Sequence, residues 1–478
     1  MKRALTLFAL AAATPLAAQQ ATPIQSRVEI ELGKAAPGTR FGLVVTDAQG
    51  REIVAVNPDQ RFIPASNTKI ITTAAALSTL TGFDRPDMAG GASVRIEERD
   101  VVLTGHGDAR LSSAADCATN CLSQLADAIA AKTKRVRNIT GDATLFPDER
   151  WSSGMSWNNI PSPYGTALTA LTLDDNELIA TATPGAAGAA PGVAHLGYLT
   201  IDNRALTVAA GGKTDLEIDR LPFDRTIRLT GTIAADAKPQ RIRMGIDDPA
   251  HYAAWRLAAL LRERGVQVTG ELQSRYRTPS TVDDPGQRSA LPPRAATPAP
   301  LAALTPPPLL EDLRTINKDS QNLHTELLLR RVGLANGTGS VADGLVRIEA
   351  MFTAAGVPRT SWDFSDGSGM STYNRIAPRG MVKLLQWISA QPWSAAWRET
   401  LPVGGVDGTL SRRFKGTILE GKIFAKTGTI NATNALAGYM TTKSGKTLTF
   451  AAYANDVPSG TAATPAMDAA LVAIAEAN

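Results

Sequence analysis

The hydrophobic positions in the first part of the chain predict a strand pair followed by a buried helix. The runs Arg40–Val45 and Ile53–Val56 flank a four-residue polar turn, which is typical of a β-hairpin. The run Ile70–Leu77 is too apolar for a surface helix, so it predicts a buried helix that ends near Gly82. Residues 24–84 therefore predict one part of a domain that mixes strands and helices.

Residues 85–300 differ, because many short alternating runs follow one another. Runs such as Ser93–Ile96 and Thr226–Ile233 predict strands. One helix is predicted at Asp248–Arg264, since a proline stands in its first turn and a glycine directly after its end. The proline-rich passage at 291–308 cannot be a helix interior or a central strand. It marks the return from a β-rich insertion.

The helical period returns after this passage, and apolar strands follow near the C-terminus. Helices are predicted at Leu323–Leu329, Val341–Ala355 and Pro465–Ala477, and strands at Ile423–Lys426, Ala435–Met440 and Thr447–Tyr453. The short connections between these strands imply antiparallel pairing. The pattern thus predicts an α+β fold with about five antiparallel strands flanked by helices. Residues 24–84 and 301–478 would form it, split by the β-rich insertion at 85–300.

The composition is that of a globular, exported protein. Of the 478 residues, 44% are hydrophobic and 20% are charged, which suffices for two or three folded domains. Residues 1–18 combine a basic start, an apolar run and small residues, as in a secretory signal peptide cleaved after Ala18. No later segment reaches the roughly 18 apolar residues of a membrane helix. We therefore expect a periplasmic protein without a transmembrane segment, at most peripherally associated with the membrane or cell wall.

The net charge does not indicate a polyanionic partner. Loss of Lys2 and Arg3 with the signal peptide would lower the formal net charge from +4 to about +2. The chain also has no dense block of Lys and Arg interleaved with aromatic residues. Nucleic acid is therefore not an expected partner.

Two cysteines, Cys117 and Cys121, are present. An even number of cysteines in an exported chain favours a disulfide. A regular helix would hold two residues four positions apart in poor geometry for that bond, so two unpaired thiols are the alternative. Without histidines at ligand spacing the pair makes a poor zinc site.

Ser66 and Lys69 are candidates for a nucleophile and its base at the start of the first buried helix. Their spacing of three places both on one face of a helix. A lysine can accept the proton of a serine only if burial or positive neighbours lower its pKa, and Lys69 begins an apolar run. The backbone N–H of Ser66 is also free to stabilise an oxyanion. Alternatively, Ser66 only caps the helix and Lys69 extends to water.

Two later clusters supply possible partners. Ser320 and Asn322 are two positions apart before a helix, so their side chains can point the same way, with Ser320 relaying a proton and Asn322 holding a substrate amide or Lys69. A second cluster is predicted to end a strand and consists of Lys426, Thr427, Gly428 and Thr429. A cation and two hydroxyls there suit a substrate carboxylate, and the glycine leaves room for a substrate along the strand edge. Taken singly, a helix cap explains the first cluster better and a strand end the second, so only the three motifs together favour catalysis.

The three patterns S-x-x-K, S-x-N and K-T-G occur in the order found in penicillin-interacting enzymes. With further stretches, the chain resembles the class C low-molecular-mass penicillin-binding proteins, D-alanyl-D-alanine carboxypeptidase/endopeptidases of the penicillin-binding protein 4 type. Those stretches are Leu103–Asp108, Ala170–Asn176, Asp366–Gly369, Leu401–Leu410 and Ala435–Tyr439. The resemblance covers nearly the whole mature chain. His106, where the family usually has glycine, and Gln321, where asparagine is frequent, depart from it.

The resemblance implies a penicillin-binding/β-lactamase-like transpeptidase domain whose insertion is two nested accessory domains. It also implies an acyl-enzyme on Ser66, formed from peptidoglycan stem peptides and cross-links or from β-lactam antibiotics. In our hypothesis neutral Lys69 takes the Ser66 proton and Ser320 passes a proton to the leaving D-alanine. Its carboxylate would lie against Lys426, Thr427 and Thr429. No metal or organic cofactor is expected.

Two alternatives remain open in the sequence. A β-lactamase shares the three motifs but needs a carboxylate on a nearby loop, and no convincing Glu-x-x-x-Asn segment is found before Ser320. A catalytically silent peptidoglycan-binding or penicillin-sensing module has no need of a lysine buried beside a serine. His324 is expected to be an ordinary half-buried residue. Asp366–Gly369 is expected either to line the site or only to form a turn.

Overall fold

The computed structural model describes residues 23–291, 293 and 298–478. The predicted signal peptide lies outside the described residues. The helices are α1 (Pro23–Leu32), α2 (Thr68–Thr79), α3 (Leu122–Lys132), α4 (Pro249–Glu263), α5 (Leu309–Lys318), α6 (Asn322–Leu334), α7 (Val341–Ala354), α8 (Pro378–Ser389), α9 (Ser394–Glu399) and α10 (Thr464–Ala477). The helix predicted at 248–264 corresponds to α4.

The strands divide among several sheets. They are β1 (Arg40–Thr46), β2 (Glu52–Val56), β3 (Ser93–Glu97), β4 (Asp100–Thr104), β5 (Arg135–Val136), β6 (Ile139–Pro147), β7 (Glu177–Thr183), β8 (Gly192–Ala194), β9 (Thr200–Asn203), β10 (Leu206–Val208), β11 (Asp215–Asp219), β12 (Thr226–Ala234), β13 (Gln240–Gly245), β14 (Gln267–Val268), β15 (Leu272–Arg277), β16 (Ala302–Ala303), β17 (Trp362–Asp363), β18 (Arg375–Ile376), β19 (Ile423–Ile430), β20 (Thr433–Thr441) and β21 (Thr447–Asn455). The predicted runs at 93–96 and 226–233 fall on β3 and β12.

One five-stranded sheet unites the two ends of the chain. Its order is β19-β20-β21-β1-β2, and every neighbouring pair is antiparallel. Val44 in β1 pairs with Ala451 in β21 and Ala55 in β2, so the N-terminal hairpin extends the C-terminal meander. The predicted antiparallel sheet flanked by helices is confirmed.

Alternating side chains of this sheet point to opposite faces and pack into two hydrophobic cores. Val44 points into a core with α2, α6, α7 and α8, whereas Leu43 and Val45 point into a core with α1 and α10. Every residue from Thr68 to Leu77 in α2 is buried, because this helix packs against α6 and α7 and its apolar side chains share a core with residues of the sheet. This burial explains why the first turn of α2 can hold a lysine away from water.

The strands from β3 to β16 form separate sheets. The largest is β15-β6-β4-β3-β16, against which α4 packs, and β7 to β13 supply two smaller sheets. Cys117 and Cys121 form a disulfide with a Cα–Cα distance of 5.8 Å. Cys121 is the N-cap of α3 and Cys117 lies in the preceding loop, so the pair escapes the geometry of a regular helix.

Candidate active site

Ser66 lies in a tight turn directly before α2. The turn Ala65–Asn67 is a 3₁₀ helix in which Ala65 has a left-handed φ of 46°. The Asn67 side chain donates from Nδ2 to the carbonyl oxygen of Lys426 at 2.7 Å, which ties the turn to β19. Gly369 packs so closely here that a Cβ on it would lie 1.9 Å from the Ala65 carbonyl oxygen. The hydroxyl of Ser66 is thus held at a defined place between a helix and a strand.

Lys69 is fully buried and its ammonium group contacts three neutral acceptors. Its Nζ donates to Ser66 Oγ at 2.9 Å, to Asn322 Oδ1 at 2.7 Å and to the Ser368 carbonyl oxygen at 2.7 Å. Burial lowers the pKa of Lys69 to about 7, although the nearby carboxylates of Asp366 and Glu326 oppose this. A substantial fraction of Lys69 is therefore neutral near pH 7, beside the hydroxyl whose proton it would accept.

Ser320 contacts a second buried lysine. Lys426 Nζ donates to Ser320 Oγ at 2.9 Å and to the Thr427 carbonyl oxygen at 3.1 Å. Burial, and next the charge of Lys69, lower the pKa of Lys426 well below its usual value. Ser320 itself has a left-handed φ of 61°. The two hydroxyls and two lysines of the predicted motifs thus meet at one place.

Asn322 connects the site to the strand-rich region between β3 and β16. Its Oδ1 accepts from Lys69, and its Nδ2 donates to the Tyr164 carbonyl oxygen at 3.1 Å. One side chain therefore orients the lysine and anchors the loop that carries Tyr164. Of the roles proposed from sequence for Asn322, the contact with Lys69 is the one present in the structure.

The K-T-G cluster lies inside a strand, so the prediction that it ends a strand is wrong. β19 runs to Ile430, because Thr429 and Ile430 continue to pair with Asn434 and Thr433 in β20. β19 is the outer strand of its sheet. A Cβ on Gly428 would lie 2.7 Å from the Pro64 carbonyl oxygen, which explains the glycine. The Thr427 hydroxyl contacts that of Thr409 at 2.7 Å.

Asp366–Gly369 lines the site, which resolves the two possibilities left by the sequence. The Ser368 carbonyl accepts from Lys69, and Asp366 accepts from the N–H groups of Gly369 at 3.0 Å and Ser371 at 2.7 Å. The sequence analysis did not identify Glu326, whose Oε1 accepts from the Gly367 and Ser368 N–H groups. Its position four residues after Asn322 on one helix was the available signal.

The prediction that His324 is an ordinary half-buried residue is wrong. It is 4% exposed and lies between two carboxylates, with Nε2 2.9 Å from Asp175 Oδ1 and Nδ1 3.2 Å from Asp312 Oδ1. Burial alone would lower the pKa of His324, but the two carboxylates raise it to about 9. The sequence could not show this, since the three residues lie on separate segments.

Neither a metal-binding cluster nor a membrane-spanning helix occurs among the described residues. No group of three or more His, Cys, Asp or Glu side chains in the described ranges is placed to hold a metal ion. Among the helices formed by the described residues, none is long and apolar enough to cross a membrane.

Comparisons with known proteins show the family and the fold of this chain. Residues 25–478 match the model of the D-Ala-D-Ala carboxypeptidase 3 (S13) family. A D-alanyl-D-alanine carboxypeptidase from Actinomadura sp. (strain R39) is 33% identical over 92% of this chain and 82% of its own length. The crystal structure of penicillin binding protein 4 (dacB) from Haemophilus influenzae aligns with a TM-score of 0.76 at 21% identity, over 93% of this chain and 97% of that one. This structural likeness shows the fold.

Proposed function

Because the chain belongs to the D-Ala-D-Ala carboxypeptidase 3 (S13) family and is therefore a D-alanyl-D-alanine peptidase, we propose that Ser66 is its nucleophile and Lys69 the general base. The observation that carries this assignment is the 2.9 Å contact between Ser66 Oγ and the Nζ of a completely buried lysine. A buried lysine close to neutral pKa is costly for a protein unless its neutral form has a use. Accepting a serine proton is such a use.

In the first step, Ser66 Oγ attacks the carbonyl carbon of the penultimate D-alanine while its proton moves to the lone pair of neutral Lys69. A tetrahedral oxyanion results, and the backbone N–H groups of Ser66 and Thr429 are proposed to bind it. Each such donor is worth about 2.7–4 kcal/mol, by analogy with a measured oxyanion-hole side chain. The approach of the strand β19 to the turn of Ser66 at Gly428 supports this pairing of donors.

In the second step, the bond from the carbonyl carbon to the nitrogen of the terminal D-alanine breaks. That nitrogen takes, through Ser320, the proton that Lys69 accepted from Ser66, so Lys69 becomes neutral again. The released amino acid carries its carboxylate away from Lys426, Thr427 and Thr429. Binding of this carboxylate would favour the charged form of Lys426, whose pKa burial otherwise lowers. Water then attacks the ester on Ser66 and gives a proton to Lys69. The bond from the acyl carbon to Ser66 Oγ breaks, and Lys69 returns the proton to that oxygen.

The substrates proposed for this chain are peptidoglycan stem peptides and their cross-links, and β-lactams would acylate the same serine. We also propose that the protein acts in the periplasm after export, where this substrate lies. We also propose a peptidase domain of residues 24–84 and 301–478 with two nested accessory domains at 85–300. The pairing of β1 with β21 supports the first part of this division.

The test is intact-mass measurement after addition of a slight excess of penicillin, with peptide mapping and a time course after removal of the drug. A stable adduct on Ser66 and D-alanine release from a pentapeptide support the proposal. Ser66→Ala should lose both while its circular dichroism is unchanged, whereas Ser411→Ala, at an exposed serine, should keep both. Rapid loss of the adduct with drug turnover would instead indicate a β-lactamase, and no adduct a silent binding module.

A further inference from the structure

Glu326 lies behind Lys69 and uses only one of its two carboxylate oxygens. Oε1 accepts from the N–H groups of Gly367 at 3.0 Å and Ser368 at 2.7 Å. Oε2 is buried and has no hydrogen-bond partner. The carbonyl oxygen of the same Ser368 accepts from Lys69 at 2.7 Å. Glu326 therefore fixes Ser368, whose carbonyl oxygen contacts Lys69. Its second oxygen, Oε2, remains free to carry a proton.

Helix α6 presents two groups to Lys69 from adjacent turns. Asn322 contacts Lys69 directly, and Glu326, four residues later on the same helix face, acts through Ser368. A shift of α6 would move both contacts together. The positions of the amide and the carboxylate relative to the lysine are therefore linked.

A second acid, Asp366, faces the same lysine but is held differently. It accepts hydrogen bonds from Gly369, Ser371 and the Asn374 side chain, the last at 2.6 Å. Burial raises the pKa of Asp366, and these three donors oppose that rise. Glu326 has two donors, both on one oxygen. Of the two acids, Glu326 is the one that takes up a proton at less cost.

Other charges also face this cluster. Arg330 is 1% exposed and lies one turn further along α6 than Glu326, with one of its guanidinium nitrogens 3.0 Å from Glu149 Oε2. Its positive charge favours the ionised form of Glu326. Lys426 faces Lys69 from β19, and the charge of Asp319 acts on Lys426 in turn. Burial raises the pKa of Glu326 to about 7, close to that of Lys69. The lysine and the glutamic acid therefore titrate in the same pH range.

A small cavity of about 30 Å³ adjoins Glu326. It lies between α6 and the segment 149–168, and Glu326, Arg330 and Asn322 contribute to its lining. Its volume suffices for one or two water molecules, which need polar partners of this kind. Oε2 of Glu326 and Nε of Arg330 are both buried without hydrogen-bond partners. Water in this cavity would connect the carboxyl group with solvent for proton exchange.

We propose that Glu326 is a positioning residue that fixes the Ser368 carbonyl against Lys69 and shares one proton with that lysine. In one form Glu326 is a neutral carboxylic acid and Lys69 a neutral amine, and in the other the same proton makes a carboxylate and an ammonium. The exchange changes no covalent bond and no net charge. Only the form with the neutral amine can accept the Ser66 proton. This inference rests on the proposed function of Lys69 as the base.

The test is the pH dependence of the second-order rate of acylation by penicillin in wild type and Glu326→Gln. Glutamine keeps an oxygen for the Gly367 and Ser368 N–H groups but cannot bear the negative charge that favours protonated Lys69. The acidic limb should therefore move to lower pH by about one unit, and acylation one unit below the wild-type midpoint should be several-fold faster. The rate above the limb should change little.

The matched control is Asp87→Asn. Asp87 is a half-buried acid that pairs at 2.9 Å with Arg331 of α6 and is not among the charges that shift the pKa of Lys69. Its acidic limb should coincide with that of wild type. An identical limb in Glu326→Gln, Asp87→Asn and wild type would overturn the proposal. If wild type itself forms no adduct, the proposed function fails instead.

A second measurement avoids the variant, should Glu326→Gln fail to fold. Infrared spectra of wild-type protein labelled with ¹³C-glutamate should show the carbonyl band of a protonated glutamic acid that disappears as the pH rises through about 7. The isotope shift separates this band from Asp366. Absence of such a band at pH 6 would contradict the shared proton.

Discussion

Lys69 and His324 are two buried cations beside the first turn of α6, and their surroundings shift their pKa values in opposite directions. Lys69 contacts a hydroxyl, an amide oxygen and a carbonyl, and its pKa falls to about 7. His324 contacts two carboxylates, and its pKa rises to about 9. The usual order of lysine above histidine is thereby reversed. Burial penalises the charge of both, so direct contact with a carboxylate decides the sign.

The opposite pKa shifts of Lys69 and His324 suit two different tasks, proton transfer and the joining of segments. The lysine is close to neutral where a proton must be accepted, and its acids Asp366 and Glu326 act on it without direct contact. The histidine stays charged where segments must be joined, since Asp175 belongs to a left-handed turn at 174–176 and Asp312 to α5. His324 thus fastens the start of α6, whose Asn322 orients Lys69. Removal of each cation should separate the two tasks.

The largest effect is expected when Lys69, the group that acts as a neutral amine, is removed. Lys69→Met abolishes the group that accepts the Ser66 proton, so acylation by penicillin should slow by about 10²–10⁴-fold. Circular dichroism should remain unchanged, because methionine fills a similar buried volume. The measurement is the rate of adduct formation by mass spectrometry. Lys383→Met, at an exposed lysine of α8, should acylate at the wild-type rate. Acylation of Lys69→Met at a normal rate would exclude Lys69 as the base.

A smaller effect, on stability rather than rate, is expected at the charged cation. His324→Gln leaves two carboxylates without their cation, and the free energy of unfolding at pH 6 should fall by about 3 kcal/mol. Because the pKa of His324 is raised above its ordinary 6.5, its contribution is complete below pH 6.5 and is lost as the pH rises through about 9. Urea unfolding at several pH values measures the difference between wild type and variant, which should shrink towards pH 9.

Lys69 acts in the opposite sense over part of this range. Its pKa is lowered, so its burial costs stability below about pH 7, and that cost declines as the pH rises towards 10.5. Wild type and His324→Gln both bear this cost of burying Lys69, so it cancels in the difference between their free energies of unfolding. His251→Gln is the matched control, because burial lowers the pKa of His251, which contacts Tyr198 at 3.1 Å. If the free energies of unfolding of wild type and His324→Gln differ by the same amount from pH 6 to 9.5, the charged form of His324 does not stabilise the fold.

The smallest effect is expected at Thr409, which contacts the K-T-G cluster and carries no charge. Thr409→Val deletes the hydroxyl that contacts Thr427 Oγ1 at 2.7 Å and orients it. The loss of one hydrogen bond of about 1 kcal/mol should raise KM for a pentapeptide roughly fivefold while kcat changes little. Steady-state release of D-alanine measures both constants. Thr409→Ser should restore KM, and failure to do so would show that Thr409 acts by packing.

Local patterns in the sequence carried much of this protein's fold. The antiparallel strands of the central sheet and the buried helix α2 follow from short apolar runs, because strand and helix periods are properties of neighbouring residues. The end of the strand at Lys426 was predicted too early. Residues 427–430 continue the strand because β20 offers them backbone partners.

The candidate site also combines contacts that follow from spacing along the chain with contacts that depend on tertiary packing. Spacing along the chain brought Ser66 together with Lys69, since three residues make nearly one turn of helix. The contact of Lys69 with Ser368, 299 positions away, depends on how α2 packs against a distant loop. Glu326 and the acids around His324 were therefore not found by pattern alone.

The sequence by itself determined which chemical groups are available, a serine, two lysines, a second serine and an amide in a recognisable order, and which faces of the helices and strands are apolar. Only the tertiary structure decided the charge that each buried group carries. The pKa of a side chain depends on desolvation and on the few atoms within hydrogen-bond distance. For Lys69 and His324 those atoms come from segments far apart in the chain.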